Sequence, residues 1–265
     1  MSVEAFDRVE LDGTGIDRIT EAEVVAVVRD ALAHGHGGRI CTPNVDILRR
    51  AQRDDECRRH LDDADLIVAD GMPLVWASKL RGAPLPERVA GSSLIWSLSA
   101  GLGRDQRSIF VLGGTPAADD AIADGATRAA DRLLAACPGL RLAGTSCPPY
   151  GFDNDPQTYA DHCAKVIDAR PDLVFVGLGY PKQERLISRL RPDLPSTWFI
   201  GCGAAVNFVA GDVERAPRWM QRTGLEWAHR LGTEPRRLAG RYLKHDAPYA
   251  LRLLAQAPVQ RTRTR

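Results

Sequence analysis

The stretch Asp172-Leu-Val-Phe-Val-Gly-Leu-Gly-Tyr-Pro-Lys-Gln-Glu-Arg-Leu-Ile-Ser-Arg-Leu190 decides the fold. Residues 173–176 are apolar and rich in β-branched and aromatic side chains, as expected of a short strand buried on both faces. A glycine-bearing loop follows, then Pro181 opens a helical pattern that runs to Leu190. Proline suits a first helical turn, because its missing N–H would be unpaired there anyway. The same unit of strand, tight loop, proline and helix recurs outward from this stretch. Candidate strands lie at residues 39–42, 65–69, 108–112, 140–143 and 196–200, and candidate helices at 73–80, 116–136 and 156–169. Thr20-Glu-Ala-Glu23 has the capping-box spacing and precedes an apolar helical face that stops at Gly35. Apolar strands alternating with helices predict an α/β fold, a Rossmann-like parallel sheet sandwiched by helices.

The composition, 44% hydrophobic and 26% charged, is that of a soluble globular chain and excludes disordered, collagen-like and disulfide-scaffold classes. A net charge of +1 hides an asymmetry. From Arg215 to the end, twelve bases face three acids (Glu226, Glu234 and Asp246), so the tail carries +9 and residues 1–214 carry −8. The division expected from this is a catalytic domain over 1–214 and a basic, amphipathic segment over 215–265. In that segment Trp219, Met220, Leu225, Trp227, Leu231, Leu238, Tyr242, Leu243 and Tyr249 interleave with arginines. Such a pattern reads as lying on an anionic lipid surface, or as packing its apolar face on the body with the arginines solvated; nucleic acid is disfavoured, since no binding motif accompanies the charge.

The sequence has no apolar run long enough to span a bilayer, and its acidic first twelve residues do not read as a secretory signal. The six cysteines are scattered without C-x-x-C pairs, so a reducing cytosol is expected, and His34-Gly-His36 reads as a solvated helix end. The only low-complexity tract is the Arg-Thr alternation of the last five residues.

In parallel sheets ligands bind beyond the carboxyl ends of the strands. Thr42-Pro-Asn44, Asp70-Gly71, Gly113-Gly-Thr115, Gly177-Leu-Gly179 and Gly201-Cys-Gly203 all fall there and predict one cleft. Gly113, Gly114, Gly177 and Gly179 would let backbone amides approach a diphosphate, or would serve only as turns. No G-x-G-x-x-G follows the first strand and no P-loop motif occurs, which argues against a nicotinamide dehydrogenase and a P-loop NTPase. Asp70, at the mouth of an apolar strand, reads as a general base or as a helix cap. Thr42 and Asn44 carry the same capping alternative. Gln183 and Glu184 read as contacts to a polyol or as first-turn helix residues.

Several of these loops, in order, resemble one family. Asp70-Gly-Met-Pro-Leu, Pro86-Glu-Arg-Val-Ala-Gly91, Phe110-Val-Leu-Gly-Gly-Thr115, Gly177-Leu-Gly-Tyr-Pro-Lys-Gln-Glu184, Arg215-Ala-Pro-Arg-Trp219, Gly224-Leu-Glu-Trp227 and Glu234-Pro-Arg-Arg237 are similar to the WecG/TagA/CpsF family, glycosyltransferase family 26. The resemblance spans residues 7–243. It implies an inverting, metal-independent transfer, without a cofactor, from a UDP-sugar to a polyprenyl-diphosphate-linked sugar, with the enzyme peripheral at the cytoplasmic membrane face. The sugar is N-acetylmannosamine-like or another hexose, and self-association is compatible with the family. The resemblance maps the base to Asp70, other cleft residues to Thr42, Asn44, Arg88 and Gln183, and nucleotide contacts to the Gly loops, Lys182 and Asn207. Arg230, Arg236, Arg237 and Arg241 map to a segment that docks on the membrane and closes over the diphosphate. Ser93 and Asn207 stand where members commonly have Asp, and Tyr180 replaces a smaller residue. The rival expectation is a non-catalytic sugar-nucleotide-binding scaffold, which would not need Asp70.

Overall fold

The computed structural model describes residues 6–119 and 122–263, and for Arg218, Arg222, Arg237 and residues 258–263 the backbone alone. It opens with a hairpin absent from the sequence expectations. Strands β1 (Arg8–Leu11) and β2 (Thr14–Asp17) pair antiparallel across Asp12-Gly13, whose φ angles are 49° and 77°. Asp-Gly with both φ angles positive matches the right-handed twist of the flanking strands, so the dipeptide is a hairpin signal the sequence carried. Helix α1 (Glu21–Ala33) follows, closed at its start by the reciprocal bonds of Thr20 and Glu23.

The main sheet has six parallel strands: β3 (Gly38–Cys41), β4 (Leu66–Ile67), β5 (Ser108–Gly113), β6 (Arg141–Ser146), β7 (Leu173–Gly177) and β8 (Trp198–Gly201). Their spatial order is β4-β3-β8-β7-β5-β6. All six carboxyl ends therefore point to one edge, as the sequence reading required. The connecting helices are α2 (Val45–Ala51), α3 (Asp55–Asp62), α4 (Met72–Arg81), α5 (Gly91–Arg104), α6 (Gly125–Ala136), α7 (Pro156–Ala169), α8 (Lys182–Leu190) and α9 (Ala205–Ala210). The helix expected from residue 116 begins only at Gly125. Asp124 sets that start by accepting the Thr127 N–H at 2.8 Å, and a capping side chain outweighs a proline that merely tolerates a first turn.

Alternation along the strands assigns side chains to opposite faces. Ile109, Val111, Leu173, Phe175 and Ile200 pack with α1, α5, α6 and α9, while Phe110, Leu112, Val174, Val176 and Phe199 pack with α7 and α8. A third cluster lies toward the β4 edge, where Cys41, Ile67, Leu74 and Ala77 meet the hairpin residues Val9, Leu11 and Ile16.

The tail completes that third cluster. It comprises α10 (Arg218–Thr223), α11 (Glu226–Thr233), α12 (Pro235–Arg241), a π-helical turn (Tyr242–Asp246) and α13 (Ala247–Arg263). Tyr249, Leu253 and Ala257 of α13 are buried among the hairpin and α4 residues, and the Tyr249 hydroxyl donates to Asp12 Oδ2 at 2.7 Å. Burying one leucine side chain contributes about 1.5–3 kcal/mol, so apolar packing holds this part of the tail. Gly224, at φ 77°, lets the α10–α11 turn lie on the start of α4; a Cβ there would stand 2.4 Å from Met72 Cγ. Trp219, Leu225, Trp227, Leu243 and Leu251 remain exposed, as do Trp76 and Leu80 on α4. The tail thus divides its apolar residues between the body and solvent. Among the described residues no helix is long and apolar enough to cross a membrane.

Candidate active site

Asp70 follows β4, and its backbone N–H donates to Pro43 O at 3.0 Å, which ties the Asp70 loop to the Thr42–Asn44 loop after β3. Helix α4 begins after Gly71 with no side-chain cap, so the Asp70 carboxylate is not spent on the helix. It faces Arg88 instead, with Asp70 Oδ1 3.5 Å from Arg88 Nη1. The same Arg88 nitrogen lies 3.2 Å from Glu226 Oε2, at the start of α11. Glu226 Oε1 lies 3.7 Å from Arg215 Nε, and the Arg215 head donates to Ser92 O at 3.1 Å and Ser93 Oγ at 3.2 Å. Ser93, one of the departures from the family pattern, thus gives Arg215 a neutral partner where an aspartate would give it a charged one.

Burial raises the Asp70 carboxyl above its usual range, and Glu226 adds to the rise as a like charge. Arg88, Arg230 and Arg215 oppose it. Burial also lowers the Arg215 guanidinium, with Glu226 holding it up. Glu21, behind Arg215 and Arg88, is raised chiefly by burial while a hydrogen bond with Ser97 opposes, and Glu87 is its acidic neighbour. Two carboxylates and three guanidiniums therefore converge at the β4 edge, and two of these five groups, Arg215 and Glu226, were not among the sequence candidates. Both lie in motifs that carried the resemblance. Glu226 had a further signal, as one of only three acids in a strongly basic tail.

The other candidates have different surroundings. Asn44 caps α2, its Oδ1 accepting the Ile47 N–H at 3.1 Å. The Thr42 hydroxyl is 3.5 Å from Gly201 O, between the loops after β3 and β8. Gln183 is buried, and its Oε1 accepts the N–H groups of Gly179 at 3.1 Å and Gly203 at 3.0 Å while its Nε2 donates to Glu184. It clamps the loops after β7 and β8 together. Glu184 in turn pairs with the fully buried Arg39 of β3 at 2.5 Å, so the polyol contact read for these two residues meets side chains already engaged.

Gly113 and Gly177 are register partners at the ends of β5 and β7. A Cβ on Gly113 would lie 2.5 Å from Gly177 O, and one on Gly177 would lie 2.5 Å from Val206. Close approach of backbone at Gly113 and of the Val206 side chain at Gly177 therefore suffices to explain both glycines. A Cβ on Gly114 would lie 2.8 Å from Ala126 N, whereas Gly179 has open space around it and gives its amide to Gln183. Lys182 pairs with Asp153 at 2.6 Å, beside a cavity of about 320 Å³ lined by Phe152, Asp153, Pro156, Tyr159, Lys182 and Arg185. The Asn207 Oδ1 is buried without a hydrogen-bond partner.

Of the tail arginines, Arg230 lies over the Phe208 ring, 5.1 Å from its centroid, within electrostatic reach of Asp70. Arg241 instead pairs with Asp246 at 3.5 Å, and Asp246 stands 3.7 Å from Arg49 of α2. Arg236 is exposed, and the Arg237 side chain lies outside the described residues. All six cysteines are free.

This geometry, a carboxylate freed from capping beside converging arginines at the carboxyl edge of a parallel sheet, suits group transfer from an anionic donor. A model of the Glycosyl transferase WecG/TagA/CpsF family matches residues 9–263. The chain belongs to that family. Two curated relatives, from Bacillus spizizenii and Bacillus subtilis, are each named N-acetylglucosaminyldiphosphoundecaprenol N-acetyl-beta-D-mannosaminyltransferase. The first is 35% identical over 206 residues, covering 78% of this chain and 75% of the relative, and the second is 33% identical over 199 residues, covering 75% and 73%. The expected family and the Rossmann-like architecture both hold, and the chain is a glycosyltransferase of cell-surface polysaccharide synthesis.

Proposed function

We propose that the chain transfers an N-acetylmannosamine-like sugar or another hexose from a UDP-sugar to a sugar carried on a polyprenyl diphosphate, with inversion and without a metal ion or cofactor. The observation that carries this reading is Asp70, a partly desolvated carboxylate that caps nothing and sits 3.5 Å from Arg88. Asp70 removes the proton from the acceptor hydroxyl. The hydroxyl oxygen then forms a bond to the anomeric carbon on the face opposite the diphosphate, the bond from that carbon to the diphosphate oxygen breaks, and UDP leaves with the electron pair. Arg88, Arg215 and Arg230 neutralise the charge that grows on the departing oxygen, a task guanidinium forks perform bidentately. The names of the Bacillus relatives support a lipid-linked N-acetylglucosamine diphosphate as the acceptor.

The protein works at the inner face of the cell membrane in this reading, and the exposed Trp219, Trp227, Leu243 and Leu251 beside the basic tail support it. Replacing Trp219 and Trp227 by Ser in the full chain should release it from anionic liposomes; retained binding would remove the tail from the interface.

Incubation with a panel of UDP-sugars and a diphospho-lipid N-acetylglucosamine analogue tests the activity, read as UDP release and as the anomeric configuration of the product. UDP release with an inverted product is expected. Binding of the UDP-sugar without turnover would favour the scaffold instead, and a retained configuration would overturn single displacement.

A further inference from the structure

Glu226 places a negative charge from the tail in the cleft where the reading above needs positive charge. Its side chain is only 12% exposed, it reaches Arg88 and Arg215 at once, and it raises the cost of ionising Asp70. If Glu226 served only to anchor the tail, a short ion pair would be expected, because N–H···O bonds between full charges close to about 2.7–2.9 Å. Several pairs in this protein do so, Arg185 to Glu56 at 2.6 Å, Arg29 to Asp105 at 2.7 Å and Arg50 to Asp46 at 2.9 Å, whereas Asp246 of the tail stands off from Arg241 and Arg49 at 3.5 and 3.7 Å. Glu226 holds its two arginines at 3.2 and 3.7 Å. Arg215 Nε, the nitrogen that faces Glu226, is buried without a hydrogen-bond partner. Glu226 therefore accepts a hydrogen bond from Arg88 Nη1 but leaves the facing Arg215 nitrogen without one. Apolar packing of Tyr249, Leu253 and Ala257 holds the end of the tail at α13, away from Glu226.

We propose that Glu226 is a built-in stand-in for a diphosphate: a positioning residue that keeps Arg88 and Arg215 aligned and is displaced when an organic diphosphate takes its place. The proposal rests on reading this cleft as one that handles a diphosphate. The charge count supports it. Asp70, Glu226, Arg88, Arg215 and Arg230 sum to +1, with Glu21 and Glu87 behind the arginines, so a doubly charged ligand is poorly matched until one carboxylate withdraws. A guanidinium fork accepts carboxylate and phosphate oxygens alike, which makes the exchange one of like for like.

The test uses the full chain and inorganic pyrophosphate, with affinity read by calorimetry at fixed ionic strength. Glu226→Gln, which keeps shape and removes charge, should bind pyrophosphate about tenfold tighter than wild type, within the range of typical couplings between sites. The gain should vanish when Arg88→Ala is added. Glu226→Asp, which keeps the charge with a shorter reach, should fall between the two and serves if Glu226→Gln does not fold. The acid limb of the pH–rate profile should also move to lower pH in Glu226→Gln, because Asp70 loses a like-charged neighbour. A residue that only anchors the tail would give unchanged or weaker pyrophosphate binding and an unmoved limb, and that result overturns the proposal. Failure of the wild-type chain to transfer any sugar would instead sink the transferase reading while leaving the pyrophosphate comparison intact.

Discussion

Two groups of motif residues line the carboxyl edge of the sheet, and they are built on opposite principles. At the centre, beyond β7 and β8, Gln183 spends its carbonyl oxygen on two backbone amides and Glu184 neutralises the buried Arg39, so these two side chains are engaged within the protein. At the β4 edge, Asp70, Arg88, Glu226 and Arg215 form a chain in which each group lies 3.2–3.7 Å from the next. Satisfied groups give rigidity and shape, whereas groups short of partners retain interaction energy for a ligand. The centre braces the loops after β7 and β8, and the β4 edge is where the chemistry is proposed. Motif membership alone does not separate the two roles, since Asp70 and Gln183 stand equally in strings that carried the resemblance.

The sharpest way to break this contrast is to remove Arg88. Turnover of Arg88→Ala should fall about 10²–10³-fold, the effect of deleting one donor that stabilises transition-state charge. The acid limb of its pH–rate profile should also shift upward, because the Asp70 carboxyl loses the cation that opposes its rise. A drop in turnover with no shift would detach Arg88 from Asp70. At the centre the effect should appear in stability. Gln183→Ala leaves the N–H groups of Gly179 and Gly203 without their acceptor, and an unsatisfied buried group costs about 1–3 kcal/mol. Chemical denaturation should show a loss in that range or somewhat above it.

The last expected effect concerns the joint between body and tail. Burial and the neighbouring Asp46 push the Asp246 carboxyl up to about 6, against the attraction of Arg241, Arg49 and Arg50. Its folded-state value therefore lies above the unfolded one of 3.8. The folded chain holds a proton there that the unfolded chain has lost, so this contribution to stability is full below about pH 3.8 and declines as pH rises through about 6. Asp246→Asn should flatten the part of the stability–pH curve between those limits, measured by thermal melts from pH 4 to 7.5. An unchanged slope would mean that Asp246 ionises without cost.

The sequence carried the architecture because the pattern of each βα unit is local: apolar runs of four or five residues, a glycine loop, then a helical period. Its misses had local causes too. The helix expected from residue 116 starts late because Asp124 caps it, and the β1–β2 hairpin is signalled only by the two residues Asp12-Gly13. The site was harder to read because its groups come from distant segments: residue 70 after β4, residue 88 before α5, and residues 215 and 226 in the tail. Whether Asn44 caps a helix or faces a ligand is decided by where its oxygen points, which spacing does not report. Arg241 likewise shares its motif region with Arg230, yet it pairs with Asp246 whereas Arg230 lies over the Phe208 ring.

The claim that reaction chemistry belongs to the β4 edge and scaffolding to the centre is tested most directly by one paired measurement. UDP release by Asp70→Asn and Gln183→Ala is followed with the same UDP-sugar and lipid-diphosphate acceptor, normalised to the folded fraction of each variant. Loss of a general base together with its charge predicts a fall of about 10³-fold or more for Asp70→Asn, with an unchanged melting profile, and a fall of less than about tenfold for Gln183→Ala once unfolding is taken into account. Near-wild-type turnover by folded Asp70→Asn, or a collapse confined to folded Gln183→Ala, would contradict it.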